Sequence, residues 1–190
     1  MKLKDDNKID QIFKATLKLV KANGLAGITM QSVAKEAKIA TGTLYIYFNN
    51  KEALVSSLFH QCIKNSAGVF FKDYNIKAPF KTGFHLIWSN IMQHRLSRFE
   101  ETLFLEQCFH SPFIDEHTKV TSKKIFEPLR ELLERGKKEN HIKNIDTFWL
   151  IAFMVGYINE IAKRATYFNK KLNKEILELN FQLCWDGIKA

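Results

Sequence analysis
The chain has 190 residues, 46% of them hydrophobic, and a formal net charge of +9. This length suits one medium domain, or a small domain joined to a larger one, and the charge favours a polyanion, either nucleic acid or a membrane surface. Met1-Lys2-Leu3-Lys4-Asp5-Asp6 lacks the apolar core of a signal peptide, and the longest apolar run, Phe148 to Ile158, is too short to span a bilayer. A cytoplasmic protein with no membrane partner is expected.

Three prolines and eight glycines leave long stretches uninterrupted, which predicts an all-α fold. The first helix is expected from about Asn7 to Ala22, with Ile9, Ile12, Phe13, Thr16, Leu17 and Val20 as its inner stripe and Asn23-Gly24 as its stop. Thr29 is placed as the N-cap of a second helix whose Val33 and Ala34 face inward. Ala37 to Ala40 form a turn. A third helix follows from about Thr41 to Phe48. Leu44 and Phe48 lie four apart and make its buried stripe. Thr41, Thr43, Tyr45 and Tyr47 then project elsewhere, where an ordinary surface helix carries Lys and Glu. Two short helices joined by a tight turn, the second presenting Thr and Tyr, describe a helix-turn-helix that reads duplex DNA. Residues 1–52 hold nine Lys against five Asp or Glu, so the excess charge is densest at this end.

Asn50 is expected to cap a fourth helix running toward Phe71, and about 20 residues of helix reach about 30 Å, enough to link this part to a larger body. Further helices are predicted at about 79–96, 98–109 and 116–138, the last bent by Pro128. Asp146 caps the next. Its run Phe148-Trp149-Leu150-Ile151-Ala152-Phe153-Met154-Val155-Gly156-Tyr157-Ile158 is apolar on every side and needs cover on every side. The last helix, Lys174 to Ile188, carries Ile176, Leu177, Leu179, Leu183 and Cys184. Two such helices from each of two subunits predict a homodimer built on a four-helix interface. The total is about nine helices.

Catalytic and metal chemistry find little support. Cys62, Cys108 and Cys184 are far apart and read as buried free thiols. His85, His94, His110, His117 and His141 are scattered, with no metal-ligand spacing, phosphate loop or nucleophile elbow. Glu100, Glu101 and Glu106 share a region with Arg95 and Arg98 and read as a solvated charged face. Neither an enzyme nor a cofactor or metal site is expected. The body does carry aromatic stripes with a few polar tips, the composition of an apolar ligand pocket. Its candidate lining is His85, Trp88 and Met92, then Phe104, Gln107 and Cys108, then Phe153 and Tyr157. Each stripe taken alone is more often core than cavity.

The segments Ile28-Thr29-Met30-Gln31-Ser32-Val33-Ala34, Ala40-Thr41-Gly42-Thr43-Leu44-Tyr45-Ile46-Tyr47-Phe48 and Lys51-Glu52-Ala53-Leu54 resemble the DNA-binding domain of TetR-family transcriptional regulators. The resemblance covers roughly residues 8–56; beyond them only length and helical pattern match. It implies a three-helix DNA-binding domain at 1–50 and a helical ligand-binding and dimerisation domain at 51–190. It also implies a homodimer on a palindromic operator, released by a small apolar or aromatic effector. Thr29 and Lys51 are expected at phosphate, Gln31 at a base or phosphate, and Thr41, Thr43, Tyr45 and Tyr47 at bases, thymine methyls or phosphate. Leu44 is counted with this DNA-binding set although it belongs to the inner stripe. Lys38 stands where the family usually has glycine, and an ammonium near phosphate would offset a positive φ there. A constitutive DNA-binding dimer without a small-molecule switch is the main alternative. A nonspecific architectural protein and an enzyme with an appended DNA-binding domain follow.

Overall fold
The computed structural model describes residues 6–109 and 111–190. The expectations for Met1 to Asp5 and for His110 lie outside the described residues. The fold is all-α: α1 (Asp6–Gly27), α2 (Met30–Glu36), α3 (Thr41–Tyr47), α4 (Lys51–Phe70), α5 (Phe80–Ser97), α6 (Phe99–Phe109), α7 (Glu116–Ser122), a 3-10 segment (Lys123–Phe126), α8 (Glu127–Lys138), α9 (Thr147–Tyr167) and α10 (Lys174–Ile188). A lone antiparallel bridge, Ile142 to Lys189, is the extended pairing among the described residues.

The helix boundaries follow local chemistry. Gly24, at φ 72°, breaks α1 at the predicted stop. Asn50 Oδ1 accepts the Ala53 amide at 2.8 Å, and Asp146 Oδ1 accepts the Phe148 amide at 2.7 Å, as caps should. Asn173 caps α10 in the same way. One expectation is corrected. Residues 116–138 do not form a single helix bent at Pro128. The helix stops at Ser122, a 3-10 turn intervenes, and α8 starts afresh with Pro128 in its first turn. There the missing proline N–H leaves no helical bond unmade.

Packing groups the chain into two units. One comprises the residues up to Lys64 together with Glu100–Ser122; the other comprises Asn65–Phe99 and Lys123–Ala190. The first unit buries Ile12, Phe13, Leu17 and Val20 of α1 against Val33, Ala34, Leu44 and Phe48, and these against Leu54, Leu58 and Phe59 of α4 and Phe104, Leu105 and Cys108 of α6. The second unit buries Phe84, Ile87, Trp88, Ile91 and Met92 of α5 with Leu129, Leu132 and Leu133 of α8, Leu150, Met154 and Ile158 of α9, and Phe181 and Cys184 of α10. Gly136 of α8 lies flat against the Phe80 ring, where a Cβ would overlap it.

The acidic and basic cluster is also corrected. Arg98 and Glu106 are exposed, but Arg95 and Glu101 are buried, and the Arg95 guanidinium lies 5.1 Å from the centre of the Phe70 ring. This is a cation resting on an aromatic face, not a solvated charge stripe.

Candidate nucleic-acid interface
The candidate site is built on the first unit. Thr29 and Ser32 cap α2 reciprocally. The Ser32 amide donates to Thr29 Oγ1 at 3.1 Å, and the Thr29 amide donates to Ser32 Oγ at 2.9 Å. The turn after α2 then closes with a Schellman pair: the Lys38 amide donates to Lys35 O at 3.1 Å and the Ile39 amide to Ala34 O at 3.0 Å. That motif requires a left-handed residue at its centre, and Lys38 supplies it at φ 53°. A side chain there costs about 1 kcal/mol relative to glycine. Gln11 Nε2 holds the same turn by donating to Ala37 O at 2.6 Å.

The pinned turn sets α3 in place. Leu44 is fully buried and Phe48 packs on Phe13, with ring centres 5.8 Å apart. Leu44 is thus corrected out of the DNA-binding set: its side chain is covered by the protein. Tyr47 also differs from expectation, because it is partly buried and packs against the core. Thr41 and Thr43 are partly buried, while Gln31, Lys38 and Tyr45 are exposed. The sequence reading passed over Ile46, which is 71% exposed beside Tyr45. The signal was available in the same register argument, since Ile46 lies off the Leu44–Phe48 stripe.

Lys51 opens α4. Its ammonium donates to Ala26 O at 3.2 Å and sits 5.0 Å from the centre of the Phe113 ring, and burial lowers its pKa. It is therefore held by its own unit rather than extended into water.

The expected pocket residues fall in different places. Phe104 and Cys108 are fully buried in the first core. Gln107 is not a spare polar tip: its Oε1 accepts the Leu25 amide at 2.7 Å, just past the break at Gly24. His85, Trp88, Met92, Phe153 and Tyr157 belong to the second unit. Trp88 and Met92 are core, with Trp88 edge-on to Phe181 at 5.6 Å. His85 faces Glu178 at 3.1 Å, and the Tyr157 hydroxyl donates to Asn180 Oδ1 at 2.8 Å. Phe153 is 44% exposed and stacks on Tyr157. All three cysteines are free and buried. Burial pushes the Cys108 and Cys184 thiols up to about 12, so neither offers a thiolate at neutral pH.

The apolar helix Phe148 to Ile158 is half covered. Leu150, Met154 and Ile158 face the core, whereas Phe148, Trp149 and Phe153 are exposed, as are Ile176, Leu179 and Leu183 of α10. No helix among the described residues is long and apolar enough to cross a membrane.

Residues 12–58 match the family described as bacterial regulatory proteins, tetR family, and residues 79–189 match the tetracyclin repressor-like C-terminal domain. An HTH-type transcriptional regulator of Haemophilus influenzae is 37% identical over 82 residues, a match spanning 43% of this chain and 44% of that protein. The chain thus spans under half the length of that relative. The fold superimposes on a TetR family transcription regulator from Marinobacter aquaeolei with a TM-score of 0.87 at 23% identity, covering 100% of both chains. It also superimposes on the transcriptional regulator FadR from Bacillus subtilis in complex with stearoyl-CoA, with a TM-score of 0.67 at 22% identity, covering 90% of this chain and 97% of that one. The chain belongs to the TetR family of helix-turn-helix transcriptional regulators, which are DNA-binding proteins and not enzymes.

Proposed function
We propose that the protein is a ligand-responsive repressor that binds a palindromic operator as a homodimer and leaves it when a small hydrophobic effector binds. Residues 1–50 serve DNA reading, and residues 51–190 serve effector binding and dimerisation. The observation that carries the reading is the surface of α3: Tyr45 stands in solvent while Leu44 and Phe48 anchor the helix from beneath. Thr41, Thr43, Tyr45 and Tyr47 contact base edges or phosphate, Gln31 and Lys38 lie along the backbone, and Thr29 and Lys51 hold phosphates. For Lys51 this requires exchanging the Ala26 carbonyl for a phosphate. The exposed apolar faces of α9 and α10 serve the dimer, setting two reading helices about 34 Å apart in successive major grooves.

The effector reading is supported by the aromatic body and by the fold neighbour that holds stearoyl-CoA. Gln107 offers a route for the response. It ties α6 to the amide of Leu25 within the DNA-reading unit, so an effector that shifts α6 acts on the end of α1. Release requires the effector to prefer the DNA-incompetent arrangement. The constitutive alternative draws on a specific observation too, because Trp88, Met92, Phe104 and Cys108 all lie in filled cores.

A melting screen against long-chain acyl-CoAs, fatty acids and apolar aromatic compounds decides between them. A true effector raises the melting midpoint with dose and weakens operator binding by the same coupling factor. Stabilisation without loss of operator affinity removes the release mechanism. No stabilisation by any class puts the constitutive dimer first.

A further inference from the structure
We propose that Ile46 is a specificity-determining residue that reads a thymine 5-methyl group in each operator half-site. The assignment rests on the DNA-reading role given to α3 above. Ile46 is 71% exposed, more than any other large hydrophobic residue among the described residues. It lies on a seven-residue helix whose inward positions, Leu44 and Phe48, are already filled, so it has no part in holding α3 to its unit. A β-branched side chain also brings a short helix no conformational advantage over Lys, Glu or Ala. An exposed aliphatic residue needs no partner in itself, but its place opposite the Leu44–Phe48 stripe and beside Tyr45 on the reading helix sets it toward the floor of the major groove.

Isoleucine has no donor or acceptor, so it does not read a hydrogen-bonding edge. The apolar group that base pairs present in the major groove is the thymine 5-methyl. Ile46 over thymine buries methyl against methyl. Ile46 over cytosine or guanine strips water from an N4 amine or an O6 carbonyl and returns nothing, which is costly. Discrimination thus comes from favourable burial at one base and unrepaid desolvation at the others. The methyl groups of Thr41 and Thr43 can meet a thymine in the same way, so the test compares Ile46→Ala with the wild type position by position.

The test begins with an operator selected from random duplexes by the full-length protein. Each thymine of the half-site is then replaced by deoxyuridine, which keeps O4 and removes only the methyl. In the wild type, one position should cost about fourfold per half-site, and about fifteenfold when both half-sites are changed. Ile46→Ala should lose a similar amount on the thymine operator and should be indifferent to deoxyuridine at that position. Tyr45→Ala, where binding is measurable at low salt, should keep the sensitivity. The melting midpoint of Ile46→Ala should match the wild type, because the side chain is already in water. Wild-type binding that ignores deoxyuridine everywhere overturns the assignment while leaving the operator reading intact. So does Ile46→Ala retaining full sensitivity at every thymine. Failure of the wild type to select any sequence overturns the operator reading and this assignment together.

Discussion

Both packing units expose apolar side chains, but they do so in different ways. The DNA-reading unit exposes Tyr45 and Ile46 on a short helix that also carries Thr41 and Thr43 and follows a turn holding the exposed Lys38. The second unit exposes Phe148, Trp149 and Phe153 on α9 with Leu179 and Leu183 on α10. A small apolar spot among polar groups fits a partner that is itself mostly polar and carries an occasional methyl, as the major groove does. A broad run of large side chains fits another surface of the same kind, which the second copy of the proposed dimer would supply. What is exposed matters less than what surrounds it.

The comparison can be broken most severely on the second unit. Leu179→Glu or Leu183→Glu leaves the isolated chain nearly untouched, because both positions are solvent-facing within it. In a dimer, a charge buried without a partner costs about 3 kcal/mol or more, so dimer dissociation should rise at least about 100-fold. Light scattering reads the effect, and operator affinity should fall with it. A wild type that is monomeric at micromolar concentration removes the proposal outright.

Tyr45→Ala should do the reverse. Specific operator binding should fall by about 100-fold, for about 1–3 kcal/mol lost in each of two half-sites. The dimer and the melting midpoint should be unchanged. Normal operator affinity in a mobility-shift assay would falsify the reading face.

The interiors differ as well, and pH exposes that difference. His94 of the second unit is 3% exposed, lies edge-on to Phe70, and has no hydrogen-bond partner at either ring nitrogen among the described residues. Burial, then the guanidinium groups of Arg95 and Arg98, depress its pKa from 6.5 to about 4. Between those values the unfolded chain binds the proton that the folded chain refuses. Stability should therefore hold above pH 6.5, fall as pH drops toward about 4, and level off below, losing about 3 kcal/mol in all through this group. Urea unfolding across pH should show that loss in the wild type and not in His94→Leu. An unchanged slope in the variant means the ring is not held neutral by the fold.

Two smaller effects sharpen the account of the first unit. Lys38→Gly should relieve the left-handed turn and stabilise the protein by about 1 kcal/mol, while weakening all duplexes a few-fold if the ammonium lies along the backbone. Lys51→Met keeps an unbranched apolar side chain and removes the ammonium that lies over Phe113. It should reduce the dependence of binding on salt by about one counterion per subunit, about two for the dimer, without changing sequence preference. A loss confined to one base pair would make Lys51 a base reader instead.

The sequence by itself determined the elements whose causes are local. Thr29, Asn50 and Asp146 cap helices because their oxygens meet amides only a few residues ahead, and Gly24 breaks α1 because it tolerates the left-handed backbone. The Leu44–Phe48 spacing set which face of α3 points inward, and the motif around it carried the family. The tertiary structure decided what depends on distant neighbours. Gln107 looked like a spare polar tip until the fold brought it 82 residues back to the Leu25 amide. Arg95 and Glu101 looked solvated until other helices covered them. Residues 116–138 kept helical periodicity through a 3-10 turn, because periodicity records which side is apolar and not whether the backbone is continuous. Ile46 stood in plain view as an ordinary aliphatic residue. Only the packing of its neighbours left it in water, because burial is a property of the surroundings that three-dimensional folding supplies.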